Sequence, residues 1–297
     1  MKEIIQQKLK ERNAILLAHN YQPPEIQDIA DMCGDSLELS IRAGKTDADI
    51  IVFCGVHFMA ETASIVSPQK TVLLPKLDAG CPMADMITPE TLLKKKQSLP
   101  NVPVVTYVNS PASVKALSDI CCTSANAVRV VNSLPDKAVL MTPDKNLAQY
   151  TAKHTSKTIH FWDGYCPIHQ NLTPNMLETA KKKNPDATVL AHPECRPEIL
   201  DMADVILSTS GMLKHVEESA ANEFIVATES GLIYPLQQQN LDKKIYSASE
   251  ILTCADMKKI TLDDIVSTLD ALSPVVQVPE DIREMAQRAV SRMLEVG

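Results

Sequence analysis

Short apolar runs alternate with amphipathic stretches along the whole chain. ATVLAH (187–192) is an unbroken apolar run suited to a strand buried on both faces. PEILDMA (197–203) reads as a short helix opened by proline, and DVILS (204–208) as a second strand. Helices are predicted next, over Leu37–Lys45, Ala125–Ser133 and Gly211–Glu218 in three successive parts of the chain. DIIVFCG (49–55), KAVLMTP (137–143) and EFIVATE (223–229) follow as third strands, each leading into a helix. TVLLP (71–75), TIHFW (158–162) and KIYSA (244–248) are fourth strands. A helix then opens at Thr88, Thr173 or Thr261, residues of the type that caps helix N-termini, with Pro at the next position in the first two. Strands alternating with helices predict parallel sheets covered on both faces.

That succession occurs three times because the sequence itself repeats. LLAHNYQPPEIQDIADMCGDS from Leu16, VTYVNSPASVKALSDICCTS from Val105 and LAHPECRPEILDMADVILST from Leu190 align. The alignment superposes His19, Tyr107 and His192; then Tyr21, Asn109 and Glu194; then Asp31, Asp119 and Asp204; then Ser36, Ser124 and Thr209, always 17 residues from first to last. Cys81, Cys166 and Cys254 follow 62, 59 and 62 residues after the first aligned position, and each precedes an aliphatic–Thr pair by the same interval. The predicted fold is therefore α/β: three pseudo-equivalent three-layer α/β/α sandwich domains with parallel sheets arranged around a pseudo-three-fold axis. The boundaries fall at 1–87, 88–172 and 173–260, with a C-terminal helical segment, 261–297, packing back on the body. No low-complexity linker separates the units, so one compact body is expected.

Composition narrows the function. A chain of 297 residues exceeds what one core usually supports, in keeping with three units. A net charge of −8 with no basic block argues against nucleic acid or an anionic membrane as partner. The N-terminal MKEIIQQKLKERN is a charged amphipathic helix and no stretch is long and apolar enough to span a bilayer, so a cytoplasmic protein is expected. Its eight cysteines are then reduced thiols, available to a metal or to catalysis. Cys33, Cys54, Cys121, Cys122 and Cys195 fall in or beside apolar stretches that suit small buried thiols.

Three equivalent units around one axis bring equivalent loops together at the carboxyl ends of their strands, where α/β sheets bind ligands. Cys81, Cys166 and Cys254 would meet there, and three soft thiolates leave one coordination position of a metal group open. Both zinc and a 4Fe–4S cluster suit such a set. Zinc commonly adds a histidine, and His169 is the histidine nearest in sequence to one of these cysteines; of the two, the cluster is favoured. The hydroxyls of Ser36, Ser124 and Thr209, at helix starts directly after strands, are candidates to hold an anion. At the ends of the first strands, His19 with Tyr21, Tyr107 with Asn109, and His192 with Glu194 form a polar group. Glu194 is the best acid/base candidate there, its pKa open to tuning toward neutrality by burial.

The segments AHNYQPPEIQDIADMCGDSLELS, CGVHFMAET, CPMAD, YVNSPASVKALSDICCTSANAV, PDKNLA, WDGYCPIHQ, HPECRPE, STSGM, ATESGL and CADMKKITL resemble, in order, the motifs of the quinolinate synthase family. The resemblance covers essentially the whole chain. It implies a 4Fe–4S cluster on Cys81, Cys166 and Cys254 with one iron open to substrate. It also implies condensation of iminoaspartate with dihydroxyacetone phosphate, with loss of phosphate and water, to give quinolinate for NAD biosynthesis. An L-aspartate oxidase or dehydrogenase would supply the iminoaspartate. Glu194, Tyr21 and His192 would move protons; His19, Ser36, Tyr107, Asn109, Ser124 and Thr209 would bind substrate, and His169 would contact the triose phosphate. Two other enzymes fit three-cysteine chemistry: the reductive dehydroxylase of isoprenoid synthesis, which also joins three domains around a cluster, and a zinc hydrolase. An iron–sulfur sensor or carrier is the non-enzymatic alternative.

Overall fold

The computed structural model describes every residue, Met1–Gly297. Its strands form three four-stranded sheets. The first holds β1 (Ala14–His19), β2 (Met32–Gly34), β3 (Ile50–Cys54) and β4 (Thr71–Leu73). The second holds β5 (Val104–Tyr107), β6 (Ile120–Cys122), β7 (Ala138–Thr142) and β8 (Thr158–Phe161). The third holds β9 (Thr188–Ala191), β10 (Val205–Ile206), β11 (Glu223–Ala227) and β12 (Lys244–Ser247). The strand orders are β2-β1-β3-β4, β6-β5-β7-β8 and β10-β9-β11-β12, one topology three times. Every pairing within the sheets is parallel. Central strands such as Ile50–Cys54 are buried along their whole length, as helices on both faces require. These are three α/β/α domains.

The aligned aspartates explain why the repeat persists in so short a second strand. Asp31, Asp119 and Asp204 each stand just before that strand, and each carboxylate accepts the N–H of a first-strand residue: Leu16 at 2.7 Å, Val104 at 2.8 Å and Val189 at 2.8 Å. Each aspartate's own N–H donates back to the carbonyl of the same residue. Two bonds thus fix the register of two strands joined by only a short helical turn.

The threonine caps also form: Thr88, Thr173 and Thr261 accept the N–H groups of Thr91, Met176 and Asp264, with Pro89 and Pro174 at the first helical position. The other helix starts differ from expectation. In the first domain the cap is Asp35, and the helix begins on Ser36; in the third the cap is Ser208, and the helix begins on Thr209. In the second, Thr123 N–H binds Asn126 Oδ1 at 2.7 Å, and this local turn delays the helix to Ala127–Ser133, leaving Ser124 in the turn.

Smaller apolar clusters belong chiefly to the third and second domains, but the two largest cross between elements of the body. One apolar cluster runs from the first sheet (Leu16, Ile51, Phe53) into the third (Leu190, Phe224, Val226). Another joins the second sheet to the C-terminal helix, Glu280–Val296, whose face of Ala286, Ala289, Val290 and Met293 is buried at helical spacing. The C-terminal helix packs against the second domain in particular. No helix is long and apolar enough to cross a membrane.

Candidate active site

Where the three first strands end, the chain turns toward a common cavity of about 70 Å³, several times the room a single buried water needs. Its wall takes His19 and Tyr21 after β1, Tyr107 and Asn109 after β5, and His192 and Glu194 after β9. Ser36, Ser124 and Thr209 enter from the segments that follow the second strands, and His169, Cys166 and Cys254 from the loops after the fourth strands. Of the residues selected from sequence, only Cys81 is outside this lining. Equivalent positions of all three domains therefore face one space, as a pseudo-three-fold arrangement requires.

The cysteine loops are tied down by one hydrogen bond, made three times. His57, Lys145 and Ser230, each just beyond a third strand, donate their N–H to the carbonyls of Ala79, Gly164 and Leu252 at 2.8, 2.8 and 2.6 Å. Each acceptor stands two residues before its cysteine. The Cys81 loop is further joined to the Cys254 loop by Gly80 N–H donating to Asp256 Oδ1 at 3.3 Å.

Burial raises the Cys81 thiol to about 12, with Glu194 and Cys254 adding to the rise. Burial likewise raises Cys166, with contributions from Glu194 and Cys81, and burial raises Cys254, with Glu229 and Asp256 adding to the rise. Thiolates there need a compensating cation, so the donor set fits a thiophilic metal group and not free ionised cysteines. A second arrangement is also present: ligand atoms of Cys166, His169 and Glu194 lie within 4.8 Å of one another. In it Glu194 is already engaged by hydrogen-bonding neighbours. The remaining cysteines do not line the cavity: Cys54, Cys121, Cys122 and Cys195 are buried, and Cys33 is partly so.

A continuous polar chain crosses the cavity. Tyr21 Oη lies 2.6 Å from Thr228 Oγ1, and Thr228 Oγ1 lies 2.8 Å from His169 Nε2. His169 Nδ1 is 2.8 Å from Glu194 Oε2, an ion-pair distance whose angle is not that of a hydrogen bond. Tyr107 donates its hydroxyl to Glu194 Oε1 at 2.7 Å, and Asn109 Nδ2 approaches the same oxygen at 3.5 Å. The Asn109 amide oxygen is buried without a partner and is free to meet a ligand donor. His169 and His192 stack with ring centroids 4.9 Å apart.

The backbone sets the tautomers of the two strand-end histidines. Tyr21 N–H donates to His19 Nδ1 at 3.1 Å, and Glu194 N–H donates to His192 Nδ1 at 3.3 Å, the same bond in equivalent positions. Each Nδ1 is thereby an acceptor, which leaves Nε2–H to donate; that of His192 meets Ser124 Oγ at 3.2 Å. Burial lowers both histidines to about 3, so both are neutral hydrogen-bond donors at neutral pH.

Glu194 departs from expectation. Burial pushes its carboxyl up, but His169, His192 and the Tyr107 hydroxyl outweigh it and hold the pKa at about 2, well below neutrality. Because His192 is itself neutral, the pull we assign chiefly to His169 and Tyr107. The expected anion pocket is also uneven. Asp35 already accepts the N–H groups of Leu37 and Glu38, so its carboxylate opposes an anion at the first helix start. The third start is capped by the neutral Ser208 and keeps its field.

Sequence reading missed Thr228, Glu229 and Lys258. Thr228 and Glu229 lie within ATESGL, yet Thr228 has no hydroxyl counterpart in the other domains, where Gly55 and Pro143 stand in register. The repeat therefore gave no signal for it.

A buried acid/base chain and potential soft metal donors, enclosed at the junction of three α/β/α domains, define an enzyme-like site for a small polar molecule. Comparison with known proteins agrees. The family described as "Quinolinate synthetase A protein" matches residues 3–295. A protein of Geobacter metallireducens named "Quinolinate synthase" is 58% identical over 296 residues, covering 100% of this chain and 97% of that protein. One of Pelobacter propionicus with the same name is 54% identical over 297 residues, covering 100% and 98%. "Quinolinate synthase 2" of Methanosarcina acetivorans is 50% identical over 295 residues, covering 99% and 95%. The chain belongs to the quinolinate synthetase A family of enzymes.

Proposed function

We propose that the chain condenses iminoaspartate with dihydroxyacetone phosphate, releasing phosphate and water, to make quinolinate for NAD biosynthesis. The observation that carries this reading is the convergence, on one cavity, of the His/Tyr/Glu strand ends of all three domains with Cys166, Cys254 and, from the loop of Cys81, Met83. Cys81, Cys166 and Cys254 would hold a 4Fe–4S cluster, which when bound supplies a Lewis acid with one open iron. Boundaries at residues 87, 172 and 260, a cytoplasmic location, and iminoaspartate supply by an L-aspartate oxidase or dehydrogenase belong to the same proposal.

The residues divide the work by their protonation states. The neutral His19 and His192 offer Nε2–H groups to substrate oxygens, alongside the hydroxyls of Ser36, Ser124 and Thr209, so that carboxylates are held by neutral donors. Glu194, ionised and hydrogen-bonded to Tyr107, is placed to accept a proton from substrate. Tyr21 returns or removes one through Thr228 and His169, which connect it to Glu194 without passing through bulk water. Isomerisation, imine formation and dehydration all need such transfers. Quinolinate formation by anaerobically prepared protein given both substrates tests the proposal; turnover of an allylic diphosphate, and none of iminoaspartate, would favour the reductive dehydroxylase instead.

The Cys166–His169–Glu194 arrangement supports a second reading, a zinc hydrolase. Protein carrying one zinc, with neither iron nor sulfide, would establish it.

A further inference from the structure

The three cysteine loops share one backbone pin but differ in the residue just before its donor. In register, that residue is Val56 in the first domain, Asp144 in the second and Glu229 in the third. Asp144 caps the helix Lys145–Ala152 through Oδ1, which accepts Leu147 N–H at 2.8 Å. Its Oδ2 is buried without a partner, and the Cys166 N–H is among the backbone donors near the carboxylate.

At Glu229 the contact is complete. The side chain is 1% exposed, and Oε1 accepts the backbone N–H of Cys254 at 3.0 Å while Oε2 accepts that of Gly231 at 2.7 Å. Lys258 lies 2.9 Å from Oε1 and neutralises the carboxylate, and the same ammonium donates to the carbonyl of Tyr21 in the first domain. One ion pair, its carboxylate buried and its ammonium partly so, therefore holds the backbone of a cysteine and of a catalytic candidate at once. Gly231 leaves the space for this crossing: a Cβ there would stand 2.5 Å from the Tyr21 carbonyl oxygen and 2.7 Å from Lys258 Nζ.

We propose that Glu229 is a positioning residue that orients Cys254 as a ligand through its backbone N–H and, through Lys258, sets the position of Tyr21. The inference rests on the reading that the cysteines hold a metal group. Backbone supports of this kind determine how firmly a ligand is presented, and their loss typically weakens metal binding by about 10–100-fold.

The test uses the full chain, prepared anaerobically, with iron release to a chelator followed by absorbance. Glu229→Ala is expected to release iron about tenfold faster than wild type, and Glu229→Gln, which keeps an oxygen for the Cys254 N–H, to stay within about threefold of it. In metal-free protein, modification of Cys254 by a thiol reagent, read residue by residue by mass spectrometry, should quicken in Glu229→Ala while Cys81 is unchanged. Should Glu229→Ala not fold, Glu229→Asp withdraws the carboxylate by one methylene and is read the same way. Wild-type release and Cys254 reactivity in the Ala variant, or a Gln variant as labile as Ala, would overturn the proposal. Wild-type protein that binds no iron would instead sink the metal reading, and the thiol measurement would still decide the role of Glu229.

Discussion

Replacing Thr228 with valine removes one hydroxyl and little volume. Thr228 is 1% exposed, and its hydroxyl is shared by Tyr21 Oη at 2.6 Å and His169 Nε2 at 2.8 Å. Valine leaves both partners buried and unpaired, and each such loss costs about 1–3 kcal/mol. Part of this appears as stability, because the folded state also loses the bonds; about 2 kcal/mol of destabilisation is expected. If the link between Tyr21 and Glu194 carries a proton in the rate-limiting step, kcat falls further, by about 100-fold, since general acid–base contributions run at about 10²–10⁴. KM should change little, because Thr228 does not line the cavity. Thermal unfolding separates the first effect from the second, measured by steady-state kinetics at saturating substrate. A Thr228→Val enzyme within about threefold of wild-type kcat would refute the relay, even if it melted early. Thr228→Ser, which keeps the oxygen, is expected to restore most of the rate.

Other expectations follow from the same geometry. Asp204→Ala frees the Val189 N–H from a charge-assisted bond and should cost about 2 kcal/mol in denaturant titration; Asp31→Ala and Asp119→Ala should match it, since their bonds do. His192 is held neutral down to about pH 3, whereas in the unfolded chain it binds a proton below about 6.5, so the unfolded state gains protons across that window and stability falls as pH drops through it. Metal-free His192→Gln should therefore lose less melting temperature than wild type between pH 6.5 and 4; an identical slope would contradict the neutral, buried histidine. Gly231→Ala must displace the Tyr21 carbonyl or Lys258, and a loss of about tenfold in kcat with secondary structure retained is expected by circular dichroism and kinetics.

What the sequence made legible was what it repeats. Unbroken apolar runs marked the central strands, threonine and proline marked the helices after each cysteine, and the aligned columns supplied most of the polar residues of the cavity wall, though none of its apolar ones such as Phe58, Met59 and Met257. The aspartate column was visible, but its role was not, because an N–H acceptor 15 residues away in the chain leaves no local pattern. Helix starts were misplaced where a side chain rewrote the local hydrogen bonding: Asp35 and Ser208 took the cap one residue early, and Asn126 drew Ser124 into a turn. Thr228, Glu229 and Lys258 were missed because the repeat does not mark them: Thr228 reaches Tyr21 and His169 in the other two domains, Lys258 reaches the Tyr21 carbonyl, and Glu229 acts on Cys254 within its own domain. The low pKa of Glu194 likewise depends on His169, which approaches from another domain and not from its sequence neighbours.

The account stands on three cysteines, one from each domain, serving a single inorganic centre. Iron and acid-labile sulfide should be counted in anaerobically prepared wild type and in Cys81→Ser, Cys166→Ser, Cys254→Ser and Cys33→Ser. Loss or severe weakening of the cluster in the first three variants, with retention in Cys33→Ser, is the predicted result. Full iron and sulfide in any of the first three, or zinc alone in the wild type, would contradict it.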